Sequence, residues 1–327
     1  MSEQNIDVAA GDAATPANGV APSVDMSVDL GPIHLKNPIN TAAGTYGFGW
    51  QFEGFYDVSQ LGAITTKGCA AEPWQGNPAP RMTEICSGVM NSVGLQNPGV
   101  RGLVASSGEY LQQLSDKGTA VICQVAGHSV DEYVAAVELF EELAPFAAGL
   151  EINISCPNIA AGGCAMGSTP EGAAEVIRAV RGRTKRPLLV KMAPARVVDV
   201  ARALEAEGAD ILTVINSIPG MAIDVRTRRS RLSRPTGGMS GPALHPIAVR
   251  MVWEVHNAVK LPIVGVGGVM SGTDAAEFVL AGATSVAVGM SNLVRPDSAP
   301  RILAELTEWA EGQGVSGIRE LVGAFEG

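Results

Sequence analysis

The stretch Glu151-Ile152-Asn153-Ile154-Ser155-Cys156-Pro157-Asn158 joins an apolar run to an amide, a thiol and a proline. Proline has no N–H for a strand ladder, so the strand must end before Pro157. Asn153 and Cys156 therefore lie at, or just beyond, the carboxyl end of a strand. The residues that follow are rich in glycine up to Gly167, which predicts that Cys156 sits on an irregular, mobile loop.

Two interpretations of Cys156 compete at this point. It is either a catalytic thiol on a moving loop or a small apolar filler, which is what most unpaired cysteines are. The stretch alone favours the filler, so the rest of the chain has to decide between them.

Length and composition limit the class of protein. The chain has 327 residues, 46% of them hydrophobic, 39 glycines and a net charge of −10. This length fits a single (β/α)8 barrel with insertions, and the apolar content is ample for its core. The negative charge argues against a nucleic-acid binder, whose affinity depends on a basic face. We therefore expect an acidic protein that acts on a small molecule.

The cysteines and the amino-terminal residues indicate the cellular compartment of the protein. The number of cysteines is odd and none forms a CxxC pair, which argues against a disulfide framework, a zinc site or an iron–sulfur cluster within the chain and suits a reducing cytoplasm. They are Cys69, Cys86, Cys123, Cys156 and Cys164. No apolar run approaches the ~20 residues of a membrane helix. Residues 1–25 predict a disordered tail that is neither signal peptide nor anchor, followed by one domain over residues 26–327.

Short apolar runs alternate with helical patterns from residue 28 onward. After a predicted hairpin over Val28–Leu35, eight runs are typical of parallel strands covered on both faces. These are Pro38–Ala43, Leu61–Lys67, Ala120–Val125, Leu150–Ser155, Pro187–Met192, Asp210–Asn216, Pro262–Gly267 and Ser285–Gly289. Between them, Ser129 with Glu132 and the sequence Thr169-Pro170-Glu171 indicate helix starts.

Eight strand–helix repeats favour an α/β fold of the (β/α)8 TIM-barrel type over an open sheet. Two stretches break the rhythm, residues 69–118 and 218–246. Both follow strands, so both are expected to rise above the carboxyl face of the barrel, where such enzymes keep their chemistry.

Polar residues end five of the predicted strands. They are Lys67, Gln124, Asn153, Lys191 and Asn216. In a barrel such positions converge on one pocket. A lysine beside an apolar run is costly unless its ammonium meets an anion or an electron-rich ligand. Hydrophobic packing alone does not explain this pattern.

Glycines replace polar side chains at the last two strands. Gly265-Val266-Gly267-Gly268-Val269 and Val288-Gly289-Met290 place unhindered backbone N–H groups where many barrels bind phosphate.

Two enzyme chemistries then compete: a Schiff-base aldolase or sugar-phosphate isomerase, and a flavin enzyme in which amides recognise a planar substrate and a thiol acts as base. The first leaves the amides and the thiol unused. A third hypothesis, an inactive binding scaffold, predicts damage at the base or the glycines, and those residues are present.

Four motifs give the chain a family resemblance. They are Asn153–Asn158, Asn91–Gly99, Thr236–Pro242 and the glycines near positions 267 and 289. From about Met26 to its end the chain resembles dihydroorotate dehydrogenase, specifically the class 1 enzymes with a cysteine base. The pattern is most similar to the NAD-dependent class 1B, in which an FMN-binding catalytic subunit works with an FAD and iron–sulfur electron-transfer subunit.

The resemblance implies a function and a set of site residues. It implies oxidation of dihydroorotate to orotate in pyrimidine biosynthesis, in the cytoplasm and on a homodimer core, with no metal in the chain. Cys156 would take the proton from C5 while hydride leaves C6 for flavin N5. The implied substrate contacts are Lys67, Asn91, Ser92, Val93, Gly94, Leu95, Asn153, Asn216 and Ser217. The implied FMN contacts are Ala43, Lys67, Gly68, Gln124, Asn153, Lys191, Ile215, Gly241, Gly267, Gly268, Gly289 and Met290.

Two FMN contacts depart from the family pattern, which often has Ser at position 43 and Asn at position 124. If each lost side-chain bond is worth ~1 kcal/mol, the FMN affinity falls about tenfold or less per site. The alternative acceptor is fumarate, as in class 1A. The serine base and the membrane quinone of class 2 do not fit Cys156 and the absent anchor. The chain has no dinucleotide fingerprint, so NAD reduction is expected on another polypeptide.

The remaining polar and aromatic groups are expected to be structural. Cys164 is interpreted as a decoy in the loop of Cys156. Structural roles are expected for the histidines, which are His34, His128, His245 and His256. A solvated loop is expected for the arginines, which are Arg226, Arg228, Arg229, Arg231 and Arg234. Packing is expected for the aromatic cluster, which is Trp50, Phe52, Phe55 and Tyr56.

Overall fold

A ring of eight parallel strands forms the centre of the protein. The computed structural model describes residues 24–155 and 166–327. The barrel strands, numbered first to eighth in chain order, are Ile39–Thr41, Ala63–Thr65, Ala120–Val125, Ala147–Asn153, Leu188–Lys191, Ile211–Val214, Ile263–Val266 and Ser285–Val288. Seven of the eight predicted runs contain one of these strands, and the fourth run overlaps a strand that begins three residues earlier, at Ala147. The (β/α)8 barrel is therefore confirmed.

The sheet nearly closes on itself. Each strand pairs in parallel with its chain neighbour, from the second strand around to the eighth, and the eighth pairs with the first. The first and second strands then meet through the N–H of Gly62, which donates to the Ile39 carbonyl at 3.1 Å. The N–H of Thr65 donates to Thr41 Oγ1 at 3.0 Å. This seam leaves no long unpaired edge between the two strands.

Eight α-helices occur within the described residues. They are Gly99–Asp116, Val130–Leu143, Pro170–Arg181, Val197–Ala206, His245–His256, Gly272–Leu280, Ser291–Val294 and Ser298–Gly312. The second and third of these helices begin where the sequence predicts. The Ser129 side chain accepts a hydrogen bond from the N–H of Glu132, and the Thr169 side chain accepts one from the N–H of Gly172. The Glu132 carboxylate accepts from the N–H of His128 rather than of Ser129, so the predicted capping box is only half formed.

The predicted amino-terminal hairpin covers the amino end of the barrel. Its strands are Val28–Leu30 and Ile33–Leu35. Gly31, in its turn, packs against Ile211 and Pro262 near the starts of the sixth and seventh barrel strands. The hairpin therefore closes the end of the barrel opposite the site.

A second sheet, here called the capping sheet, covers the carboxyl end. It is antiparallel, and its strands in spatial order are Ile218–Gly220, Gly237–Ser240, Gly88–Asn91 and Met82–Ile85. The two predicted excursions therefore do not form separate loops but contribute two strands each to one sheet. The excursion over residues 69–118 also contains the barrel helix Gly99–Asp116.

A short hairpin extends from the capping sheet. Its strands are Ile223–Asp224 and Arg229–Ser230. The five arginines of this segment are exposed, as expected for a solvated loop, and Arg234 also donates from Nε to Asn77 Oδ1 at 3.2 Å. None of the helices in the described ranges has the length and apolar character that a membrane crossing requires.

Candidate active site

A buried carboxylate lies at the centre of the polar residues inside the barrel. Both oxygens of Glu151 accept hydrogen bonds at 2.7 Å, one from Gln124 Nε2 and one from Thr213 Oγ1. Glu151 is 2% exposed and the other two residues are equally buried. Because the donors come from the third and sixth strands, the carboxylate links strands on both sides of its own.

Asn153 extends this network to the carboxyl end of the barrel. Its Oδ1 accepts from the hydroxyl of Ser155 at 2.7 Å, and its Nδ2 donates to Gln124 Oε1 at 3.3 Å. Asn216 Nδ2 in turn donates to Ser155 Oγ. Three of the predicted site amides therefore belong to one continuous chain of hydrogen bonds, which fixes their orientations.

Lys191 places a cation beside the network. The side chain is 5% exposed, and burial lowers its pKa from the ordinary value while the nearby Glu151 carboxylate opposes that shift. A buried ammonium is costly, and an anionic or electron-rich ligand would compensate it. Lys191 therefore fits the predicted role of a cofactor contact.

The end of the second strand approaches the same network. Lys67 is half-buried, and its N–H donates to the Gly47 carbonyl at 2.7 Å. A Cβ at Gly68 would lie 2.5 Å from Gln124 Oε1, so only glycine lets the chain pass this close to the amide. The predicted contacts Lys67, Gly68 and Gln124 are thus brought together.

The glycines after the seventh strand form a cradle with Gly241. Gly267 and Gly268 have φ of +149° and +67°, and Gly241 has +130°. A Cβ at Gly268 would lie 2.8 Å from the Gly241 carbonyl oxygen, and one at Gly241 would lie 3.3 Å from Met290 Cε. The backbone segments can approach one another only because side chains are absent.

The remaining predicted cofactor contacts flank this cradle. The N–H of Ile215 donates to the Val266 carbonyl at 3.2 Å, which places Ile215 beside Gly267. A Cβ at Gly289 would lie 3.4 Å from that of Ala42, the neighbour of Ala43. Since Ala42 N–H also donates to the Val288 carbonyl, the first and eighth strands meet here.

The cradle and its flank present hydrogen-bond donors. The backbone N–H groups of Gly267, Gly268, Gly289 and Met290 all have no acceptor in the described part of the chain. The amino terminus of the helix His245–His256 lies directly behind the cradle, since a Cβ at Gly268 would be 2.9 Å from the nitrogen of His245. Clustered N–H groups and a helix amino terminus attract anions. The residues present therefore fit the phosphate of FMN.

The capping sheet brings three predicted substrate contacts together around Gly238. Asn91 Nδ2 donates to the Gly238 carbonyl at 3.4 Å. A Cβ at Gly238 would lie 2.1 Å from Ser217 Oγ. Ser217 N–H donates to Asn216 Oδ1 at 2.8 Å. The sheet thus connects directly to the barrel network through Asn216.

The other substrate contacts lie in a loop that Asn77 organises. Asn77 Nδ2 donates to Ser92 Oγ at 3.0 Å, and its N–H donates to the Val93 carbonyl at 2.9 Å. Gly94 and Leu95 have positive φ of +73° and +52°. The Ser92 hydroxyl is buried in this contact, so its predicted role in binding substrate remains a prediction.

The predicted base, Cys156, and the decoy Cys164 lie outside the described residues. Among the cysteines that the structure describes, burial raises the pKa of Cys69 to about 12. Burial also raises the pKa of Cys123 well above its usual range. Both remain thiols at neutral pH and are unsuited to proton abstraction. Cys86 is exposed, in the turn between two strands of the capping sheet.

Sequence reasoning assigned no role to three residues that organise this site: Glu151, Thr213 and Asn77. Alternation along a strand would have identified the first, since Glu151 lies two residues before Asn153 and so shares its face. No local pattern identifies Asn77, because its partners are 15 residues further along the chain.

The comparisons with known proteins identify a family. Residues 26–309 match the model of the family described as dihydroorotate dehydrogenase. A protein of Geotalea daltonii named "Dihydroorotate dehydrogenase B (NAD(+)), catalytic subunit" is 45% identical over 305 residues, 92% of this chain and 98% of the relative. A Bacteroides fragilis protein of the same name is 42% identical, with 92% and 99% covered.

A solved structure supports the fold. The crystal structure of DHODH in complex with ferulenol from Eimeria tenella matches with a TM-score of 0.78. The match covers 95% of this chain and 91% of the other, at 20% sequence identity. This similarity shows a shared barrel architecture.

Proposed function

The chain belongs to the dihydroorotate dehydrogenase family, and on that premise we propose that it is the catalytic subunit of an NAD-dependent enzyme. The reaction is the oxidation of dihydroorotate to orotate in pyrimidine biosynthesis. Catalytic subunits of this family bind FMN, which, when bound, supplies the hydride acceptor. The observation that carries the proposal is that buried Lys191 and Asn153 lie at the same end of the barrel as four unpaired glycine-site N–H donors.

The substrate is held between the barrel and the capping sheet. Asn153, Asn216 and Ser217 supply amide and hydroxyl groups of fixed orientation, because each already bonds to a neighbour within the site. Asn91 reaches the same place from the capping sheet. These donors and acceptors suit the carboxylate and the two amide edges of a dihydropyrimidine.

Cys156 acts as the base. This assignment is supported by sequence adjacency, because Cys156 directly follows Ser155, whose hydroxyl bonds to Asn153 and Asn216 within the proposed substrate site. The thiolate takes the proton from C5, and the C6 hydrogen leaves with its electron pair, so that a C5–C6 double bond forms. Proton and hydride together account for the two-electron oxidation.

Electrons leave through another polypeptide. We propose a homodimer core joined to an FAD and iron–sulfur subunit, in the cytoplasm. The name "catalytic subunit" printed for the relatives supports a separate electron-transfer subunit. The fold supports a separate subunit too. The glycine pair Gly267-Gly268 follows the seventh strand of a barrel and is not part of a Rossmann unit that would bind NAD.

The proposal is tested at the base. Cys156→Ser should slow the bleaching of bound FMN by dihydroorotate at pH 7 on the order of 10²- to 10⁴-fold, because a serine hydroxyl is a far weaker acid than a thiol of pKa about 8.5. Stopped-flow absorbance measures the rate, and the flavin spectrum reports that FMN remains bound. The matched control is Cys164→Ser, which should change the rate little. An unaltered rate in Cys156→Ser would remove this residue from the mechanism.

The acceptor is tested separately. Dihydroorotate oxidation is measured with NAD, fumarate or a dye, with and without the electron-transfer subunit. Turnover with NAD only in the presence of that subunit supports the proposal. Strong turnover of the isolated chain with fumarate would contradict it and assign the chain to the fumarate-dependent class.

A further inference from the structure

His245 lies against the cradle, although its sequence position suggested only a structural role. It is the first residue of the helix His245–His256 and is 8% exposed. Its Nδ1 lies 3.1 Å from the carbonyl oxygen of Gly267. Because a carbonyl oxygen can only accept, Nδ1 carries the proton in this contact.

This contact fixes a peptide plane. The bond between Gly267 and Gly268 is trans, and in a trans peptide the carbonyl and the next N–H point in opposite directions. By holding the Gly267 carbonyl, the imidazole therefore turns the N–H of Gly268 away from the helix. That N–H is one of the four with no acceptor among the described residues.

Glycines do not hold such an orientation by themselves. Gly267 and Gly268 both have positive φ, and a glycine pair can adopt many other conformations at little steric cost. An added contact that selects one of them lowers the entropy lost when a ligand binds. His245 is the side chain that supplies such a contact to the Gly267 carbonyl.

The rest of the ring is held in place. Its Nε2 makes no hydrogen bond within the described residues but faces two carboxylates, Glu277 Oε2 at 3.3 Å and Asp274 Oδ1 at 3.9 Å. Phe278 packs edge-on against the ring, with 5.2 Å between centroids. The two carboxylates and Phe278 therefore hold the ring with Nδ1 towards the Gly267 carbonyl.

We propose that His245 is a positioning residue for the phosphate end of the FMN site. It does not touch the cofactor; it acts through the Gly267–Gly268 peptide, whose N–H it aims at the phosphate. The proposal rests on FMN being the cofactor of this chain. It predicts that the contribution of His245 to affinity appears only when the flavin carries a phosphate.

The experiment compares two flavins on the full-length, deflavinated chain. FMN and riboflavin share the same ring, and only FMN has the phosphate. Dissociation constants from quenching of flavin fluorescence give a phosphate preference, the ratio of the riboflavin constant to the FMN constant. His245→Leu should lower this ratio about tenfold by weakening FMN binding, with riboflavin binding unchanged.

A matched pair of variants separates the hydrogen bond from packing. Asparagine places an N–H where the imidazole Nδ1 is, whereas glutamine places it farther out, near Nε2. His245→Asn should therefore keep the phosphate preference, and His245→Gln should lose it. His256→Gln, at the exposed other end of the same helix, serves as the control and should leave the ratio unchanged.

The outcomes are distinct. The proposal is supported if His245→Gln loses the phosphate preference and His245→Asn keeps it. This pair of variants decides the question even if His245→Leu does not fold. Equal ratios in wild type and both variants, or equal loss of affinity for both flavins, would overturn it. A wild-type chain with no preference for FMN over riboflavin would instead contradict the FMN site itself.

Discussion

The barrel network and the capping sheet meet at the same site but are built in opposite ways. In the network, Gln124, Glu151, Asn153, Lys191 and Thr213 are all buried and lie on adjacent strands. In the capping sheet, the strands Gly88–Asn91 and Gly237–Ser240 are largely half-exposed and rich in glycine. The barrel therefore fixes polar groups through many buried bonds, whereas the sheet positions a few groups through the space that glycines leave.

This difference assigns separate tasks to the two regions. A buried network whose members are fully bonded is rigid and is costly to disturb. A sheet with exposed backbone bonds opens locally at lower cost. We expect changes in the barrel network to affect stability and cofactor binding, and changes in the capping sheet to affect substrate binding with the cofactor still in place.

The largest effect is expected in the barrel at Glu151. Glu151→Ala should lower the free energy of unfolding by about 3 kcal/mol, because it leaves the Gln124 amide and the Lys191 ammonium without their buried acceptor and counter-charge. Urea denaturation followed by circular dichroism measures the loss. The matched variant Glu151→Gln, which keeps the size and one acceptor, should cost less than half as much. Equal stability of the two variants would show that the network does not hold the barrel.

A smaller effect, confined to substrate, is expected in the capping sheet. Gly238→Ala places a methyl group 2.1 Å from the present position of Ser217 Oγ and must displace that side chain. The KM for dihydroorotate should rise about tenfold, which corresponds to about 1.4 kcal/mol, while the FMN content of the purified protein is unchanged.

Steady-state kinetics with a dye acceptor measures the KM. The control is Gly220→Ala in the same sheet, where the nearest atom to a new Cβ would be 3.5 Å away. If both alanine variants raised the KM equally, crowding of Ser217 would not be the cause. Loss of FMN from Gly238→Ala would contradict the division of tasks.

The smallest expected effect is a pH dependence of the affinity for FMN. Burial lowers the pKa of Lys191 below the ordinary value of 10.5, so its positive charge is lost at a lower pH than that of an exposed lysine. FMN affinity should therefore fall about threefold as pH rises through the range below the titration of an exposed lysine. Fluorescence titration of the deflavinated chain measures it.

Two variants sharpen the assignment to Lys191. Lys191→Gln should bind FMN more weakly and show no fall over this range. Lys185→Gln, which removes an exposed lysine next to the fifth strand, should keep the wild-type fall. A flat wild-type profile would mean that the charge of Lys191 does not contribute to binding.

The barrel could be predicted from sequence because its signals are local. An apolar run such as Leu188–Lys191 identifies a buried strand without reference to any partner. Apart from the third strand, the predicted carboxyl ends were too long by one or two residues, since residues such as Lys67 and Asn216 lie just beyond the ladder. The polar strand ends also followed from position alone, and the structure brings Gln124, Asn153 and Asn216 together.

The capping sheet and the supporting residues could not be predicted in the same way. Asn91 and Gly238 are 147 residues apart, and no local pattern indicates that their strands pair. Glu151 was visible as a charge within an apolar strand, but its two donors are visible only in three dimensions. His245 was assigned a structural role because its neighbour Gly267 comes from a different repeat of the barrel.

The pairing of Gly88–Asn91 with Gly237–Ser240 also imposes an order of events during synthesis. The third through sixth barrel strands lie between the two partners in the chain, so a growing polypeptide acquires the entrance to its site only after most of the barrel strands have emerged. Contacts between such distant segments are slow to form. Competence to take up substrate should therefore appear late in refolding, after the contacts between barrel strands that are neighbours in the chain.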